Sequence, residues 1–201
     1  MSVVRLLLAH NGVNPNIADK IGRTPISFTS VAKYRDIEGM LLLLTDGNID
    51  LNLADKDSRT PLLWATVKAR DCDFMVELLL VSNNVDPNLA NKDGPTPLPW
   101  AVQRNYALVV KLLPANARVN PNLIDEIGQT PLLRVAMKNW EAIVELLLAK
   151  CKANSNLASG NCRTPLASAV CNGHEKVVEL LVADNRVNLN SKDNAGRTPL
   201  S

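Results

Sequence analysis

Aromatic side chains are scarce: three Trp, two Tyr and two Phe in 201 residues. A core of stacked rings is therefore excluded, and small aliphatic residues must fill the interior. Imidazole is scarcer still, with only His10 and His174. No HExxH, no Gly-rich phosphate loop and no Ser/His/Asp or Cys/His arrangement can be placed, so enzyme activity is not expected. Charge of one sign is also lacking. A net +2 is too small to draw nucleic acid by bulk attraction. No apolar run approaches the roughly 18 residues of a membrane span. Cys72, Cys151, Cys162 and Cys171 have neither CxxC spacing nor a His cluster beside them. They read as free thiols in a reducing, cytoplasmic (intracellular) compartment, not as a disulfide or zinc framework, and no metal or cofactor is expected.

What the chain has in quantity is repetition. A Thr-Pro pair returns six times, at Thr24-Pro25, Thr60-Pro61, Thr96-Pro97, Thr130-Pro131, Thr164-Pro165 and Thr198-Pro199, spaced by 36, 36, 34, 34 and 34 residues. A period in that range marks a solenoid, in which each repeat buries its apolar face against its neighbours. The opening MSVVRLLLAHNGV faintly resembles a signal peptide. However, Val3-Val4-Arg5-Leu6-Leu7 falls in register with Val177-Val178-Glu179-Leu180-Leu181 five repeats later, so the start reads as a repeat helix.

The unit from Ser159 to Lys192 gives the plan. Thr164 is placed to cap a helix that has Pro165 at its first position, where the fixed φ helps and the missing N–H costs nothing. Leu166, Ala169 and Val170 form a narrow apolar face, and Asn172-Gly173 ends the helix, with Gly173 at φ > 0. A second helix from His174 to about Ala183 buries Val177, Val178, Leu180 and Leu181 and leaves Glu175, Lys176 and Glu179 wet. The zone between units reads VNPNIADKIG at Val13–Gly22, VDPNLANKDG at Val85–Gly94 and VNPNLIDEIG at Val119–Gly128, which suggests a hairpin-like finger with a tight tip. Gly22, Gly94, Gly128 and Gly196 hold the tip position that needs φ > 0.

Helix, turn, helix and a finger opening on Asp-x-x-Gly-x-Thr-Pro-Leu resemble the ankyrin repeat, over essentially the whole chain. The resemblance implies an all-α repeat solenoid of helix-turn-helix units joined by β-hairpin-like fingers. The expected organisation is a single array over 1–201: complete repeats 19–54, 55–90, 91–124, 125–158 and 159–192, with partial repeats 1–18 and 193–201. The DPNLA and TPLxWA wording is especially similar to ankyrin arrays of filamentous fungi. By analogy, those form tails of larger multidomain proteins, including NACHT-type receptors. Neither end carries a polar capping repeat, so the chain is expected to be a piece of something longer, with both ends fraying first.

Departures between units carry further expectations. The 36-residue units gain two residues around Lys33–Asp36 and Lys68–Asp71. Ser58 and Cys162 replace the tip Gly, which implies a strained or altered turn. Ser27, Leu63, Pro99, Leu133 and Ala167 stand where the family usually has His, so that polar network is absent. Pro114 should end or kink its helix early. Thr29 and Val135 replace a small Ala and should loosen the packing there. His174, at the family's Gly-His position, is expected to be structural.

The family's fingers and first helices line a concave face and its second helices a convex one. Arg23, Arg59, Arg163 and Arg197 precede Thr-Pro at the finger base, and Lys68, Arg104 and Lys138 recur late in first helices. Glu38, Asp73, Glu77, Glu141, Glu145, Glu175 and Glu179 fall on second helices, where the ordinary reading is a solvated face. Lys20, Ile21, Lys56, Asp57, Lys92, Asp93, Glu126, Ile127 and Asn161 are variable tip positions. Together with the basic set they are the candidate partner-binding residues. Phe28, Trp64 and Trp100 share one repeat position, which is either an aromatic binding stripe or, as is usual in the family, core. The expected function is protein–protein interaction through the concave face, with a partner of acidic or mixed surface. The alternative is a regulatory segment restraining an attached enzyme or NTPase domain. Nucleic acid is the weaker partner because stacking residues are scarce. The expected state is a monomer or part of a longer chain.

Overall fold

A computed structural model describes residues 3–10, 12–30, 37–68, 73–92 and 94–201. Cys72, Asp93, and residues 33–36 and 69–71 of the two insertions lie outside the described residues. Among those described, eleven α-helices form and no strand: α1 (Val3–Leu8), α2 (Pro25–Thr29), α3 (Ile37–Thr45), α4 (Pro61–Val67), α5 (Asp73–Val81), α6 (Pro97–Arg104), α7 (Ala107–Ala115), α8 (Pro131–Met137), α9 (Glu141–Ala149), α10 (Pro165–Cys171) and α11 (Glu175–Ala183). The chain divides into two compact units, 1–97 and 98–201. None of the helices described is long and apolar enough to cross a membrane.

Each unit is built from the same local rules. Thr60, Thr130 and Thr164 accept the N–H of Leu63, Leu133 and Ala167 at 3.2–3.3 Å, with Pro following at the first helical position. Thr24 differs: its hydroxyl pairs with Ser27 Oγ at 3.1 Å and makes no cap bond. The turn between paired helices runs through a left-handed residue, Gly173 (φ 69°) in one repeat and Asn139 (φ 58°) and Asn105 (φ 59°) in others. His174 then reaches back to the Met137 carbonyl through Nε2 at 3.1 Å, a structural tie between successive repeats.

In the first unit, α2 packs on α3 and α4, α4 on α5, and α1 on α3, so the opening segment is a repeat helix. Leu62, Leu63, Ala65, Val76 and Leu79 are fully buried there. In the second unit, α8 packs on α9 and α10, and α9 on α7 and α11. The buried stripe of α9 is Ile143, Val144, Leu147 and Leu148. The corresponding α11 residues are Val177, Val178, Leu181 and Val182, so Leu180 is not part of the stripe. Val177 and Leu181 are buried, whereas Val182 remains 49 % exposed because no further described helix lies over it.

The fingers are shorter than true hairpins. Two backbone bonds close each: Asp19 N–H to Arg23 O (2.9 Å) and Gly22 N–H to Asp19 O (3.0 Å), and likewise Asp55 to Arg59 and Ser58 to Asp55. Gly22, Gly94, Gly128 and Gly196 take φ between 74° and 102°, and Ser58 and Cys162 are forced to φ 59° at the same position. Backbone bonds join neighbouring fingers, such as Lys56 N–H to Ile21 O and Lys92 N–H to Asp57 O, both at 3.0 Å.

A second tie uses asparagine. Asn16 donates to Asn48 O and accepts from Asp50 N–H; Asn52 does the same with Asn84 and Asp86, and Asn156 with Arg186 and Asn188. These amides tie successive repeats together at the finger base.

Two expectations are corrected. Pro114 does not shorten its helix: α7 ends at Ala115, in register with Ala149 and Ala183. One residue from the end, proline removes a single bond from a turn that stops anyway, and its carbonyl accepts Cys151 Sγ at 3.1 Å. Nor do Thr29 and Val135 open the packing. Val135 is fully buried, and Thr29 bonds Ile26 O and Met40 Sδ.

Candidate functional site

The finger carboxylate organises each site. Asp55 Oδ1 accepts the N–H groups of Asp57 (2.8 Å) and Arg59 (2.9 Å), holding the turn, while Oδ2 accepts the Trp64 indole N–H at 2.9 Å. Asp19 holds its turn through Ile21 and Arg23 N–H, but Phe28 has no donor, so Oδ2 takes the Arg23 guanidinium instead (3.1 and 2.9 Å). Asp125 repeats the first pattern with Arg134 at 2.6–3.0 Å, and Asp193 the second with Arg197. The side-chain bond from Arg197, with its backbone N–H, lowers the Asp193 carboxyl to about 2. Burial opposes the shift at Asp19, but bonds from Arg23 and Ile21 still lower it.

The aromatic row is not core. Phe28 is 44 % exposed, and Trp64 and Trp100 are half-buried. Each carries a guanidinium on its ring: Arg23 lies 4.2 Å from the Phe28 centroid, Arg59 5.0 Å from Trp64 and Arg104 5.0 Å from Trp100. At Trp100 the cation comes from the same helix because Pro95 occupies the finger-base position held by Arg23 and Arg59. The Trp100 indole N–H has no partner among the described residues.

The arginines singled out by sequence are largely neutralised. Arg23 is bound by Asp19, Arg59 lies 3.4 Å from Asp57, and Arg163 lies 3.7 Å from Asp193. In the first unit Lys20, Lys56, Lys68 and Lys92 are exposed and carry no ion pair among the described residues. Ile21 and Asp57 are exposed beside them. In the second unit Arg104, Glu126, Ile127, Lys138 and Asn161 are exposed, with Gln103 donating to Glu126. The acids Glu38 and Glu77 of the first unit, and Glu141, Glu145, Glu175 and Glu179 of the second, are exposed on second helices. Sequence reasoning misses the carboxylate hub and the asparagine tie, although Asp19, Asp55, Asp125 and Asp193, and Asn16, Asn52, Asn122 and Asn156, recur with the Thr-Pro period. Cys151, Cys162 and Cys171 are free thiols.

A family model for ankyrin repeats (3 copies) matches residues 1–91, 67–159 and 98–193. Among curated proteins none matches. Several solved structures are similar. The ankyrin repeat domain of Bcl-3, a member of the IkappaB protein family, is 25 % identical with a TM-score of 0.80, covering 98 % of this chain and 86 % of that one. The ankyrin repeat domain ABAYE2397 from Acinetobacter baumannii AYE is 26 % identical, with a TM-score of 0.72 and coverage of 90 % and 92 %. EF0377, an ankyrin repeat protein, resembles the fold at 21 % identity and a TM-score of 0.73, covering 91 % and 90 %.

Proposed function

The chain belongs to the ankyrin-repeat family, and from that premise we propose that it is a non-enzymatic interaction module that binds a protein with an acidic surface through its fingers and first helices. Ankyrin repeats generally mediate protein–protein interactions. The observation that carries the sign of the partner is the row of lysines without an ion pair among the described residues, Lys20, Lys56 and Lys92, at successive finger tips of the first unit, with Lys68 late in α4. The second helices α3, α5, α9 and α11 carry net negative charge, whereas α1 and α7 carry Arg5 and Lys111 instead, so an acidic partner is disfavoured on those four helices and favoured at the fingers. The second unit adds Arg104 and Lys138 on its own first helices. The fingers tolerate this variation because the buried Leu and Val stripes and the carboxylate hubs hold the fold without them.

Binding is read as surface complementarity, with a few central residues carrying most of the energy. The test is a pair of charge reversals against a partner captured by pull-down. Converting Lys20, Lys56, Lys68 and Lys92 to Glu should abolish binding with the helical spectrum unchanged. Converting Glu77, Glu141, Glu145 and Glu179 to Lys should leave it intact. The opposite pattern overturns the reading. Such a surface serves a domain on the same polypeptide as well as a separate protein, and the flanking gene sequence distinguishes the two.

A further inference from the structure

Within the first unit, Phe28 and Trp64 occupy one position of successive repeats, on helices α2 and α4 that pack together. Each is partly exposed, yet neither is loose. Arg23 stacks on the Phe28 ring and Arg59 on the Trp64 ring, and the Trp64 indole N–H is tied to Asp55. The fingers above them are locked in register by the Lys56–Ile21 backbone bond, with Lys20 and Lys56 exposed at equivalent tips. Rings whose orientation is fixed before binding lose little conformational freedom when a ligand covers them. Half-exposed rings held rigid beside unpaired cations are the composition of a binding hot spot, not of a solvated face.

Resting on the proposed function, we infer that the Phe28–Trp64 pair of the first unit is an anchor for an extended partner segment in which acidic and apolar side chains alternate. In an extended chain every second side chain lies on one face. Apolar side chains can then cover the rings while carboxylates meet Lys20 and Lys56. Asp19 engages Arg23 through Nε and Nη2, and Nη1, which has no partner among the described residues, can donate to a further carboxylate. A nucleic-acid strand fits less well. It carries a phosphate at every step, and Asp19 and Asp57 interrupt the cationic row.

The experiment is fluorescence anisotropy with the whole chain and a labelled, end-blocked fourteen-residue peptide in which Glu alternates with Leu. Two comparison peptides replace Leu by Ser or Glu by Lys, and a dT12 oligonucleotide tests the other class. Binding of the Glu–Leu peptide should be at least tenfold tighter than that of either comparison peptide or of dT12. Phe28→Leu with Trp64→Leu should weaken it at least tenfold, and Trp100→Leu, in the other unit, should leave it unchanged. Lys20→Gln with Lys56→Gln changes only exposed side chains and should weaken it severalfold, keeping the test valid if the ring variant does not fold. Equal binding of the Ser peptide, tighter binding of dT12, or indifference to the lysine pair overturns the inference. A captured partner that needs Lys68 and Lys92 but ignores Phe28 and Trp64 also overturns it while leaving the interaction module standing.

Discussion

Replacing Asn52 by Ala should loosen the joint between two repeats without touching the core. The side chain donates to Asn84 O at 2.7 Å and accepts from Asp86 N–H at 2.7 Å, bridging one repeat's finger base to the next within the first unit. Each bond is worth about 0.5–1.5 kcal/mol net, and Asn52 is half-exposed, so water recovers part of the loss. The expected cost is about 1.5 kcal/mol for the pair. That is roughly a tenfold rise in local opening, since about 1.4 kcal/mol is a factor of ten in an equilibrium. The assay is native-state amide exchange at Asp86, whose N–H is the bonded donor, because repeat arrays need not unfold in one step. Asn190 supplies the control. It holds the same place in the repeat 159–192, and its side-chain amide has no partner among the described residues. Asn190→Ala should cost close to nothing. Asp86 exchange unchanged in Asn52→Ala, or equal losses of stability for the two variants, would refute the reasoning.

Three further outcomes follow from the geometry. Ser58→Gly and Cys162→Gly, both at φ 59°, should each raise stability by up to about 1 kcal/mol, read as a higher denaturant midpoint. The Asp193 carboxyl should titrate near 2 by NMR. Because that value lies below the ordinary 3.8, its stabilisation is fully present above about pH 4 and lost as pH falls through 2, and Asp193→Asn should remove this acid dependence. Burial raises the Cys151 thiol, whose Sγ bonds Pro114 O, so alkylation should modify the exposed Cys162 and Cys171 first.

The helix plan is legible in the sequence because it rests on punctuation that acts locally. Thr-Pro starts, Asn-Gly stops and tip glycines each fix a backbone conformation whatever surrounds them. Pro114 misleads because its effect depends on its distance from the helix end, which a register comparison with Ala149 and Ala183 supplies. The aromatic row misleads for a different reason. Burial of Phe28 and Trp64 depends on where arginines and carboxylates direct them, and those partners lie five and nine residues away in sequence. The charged arginines are legible as residues but not as neutralised pairs, so the lysines stand out only once the ion pairs are placed.

The finger carboxylate has a consequence for how such a surface diversifies. One oxygen is committed to the turn, and the other goes to whichever donor arrives first: the first-helix side chain when it can donate, as with Trp64, or the finger arginine when it cannot, as beside Phe28. A single change nine positions downstream of the aspartate therefore selects which acid takes the finger cation: Asp19 itself beside Phe28, or Asp57 where Trp64 occupies Asp55. Trp64→Phe would draw Arg59 back to Asp55, and Phe28→Trp would liberate Arg23, each without altering a finger residue. The charge presented by a finger can thus be reset from the helix while the finger's sequence, and the turn it encodes, stay constant.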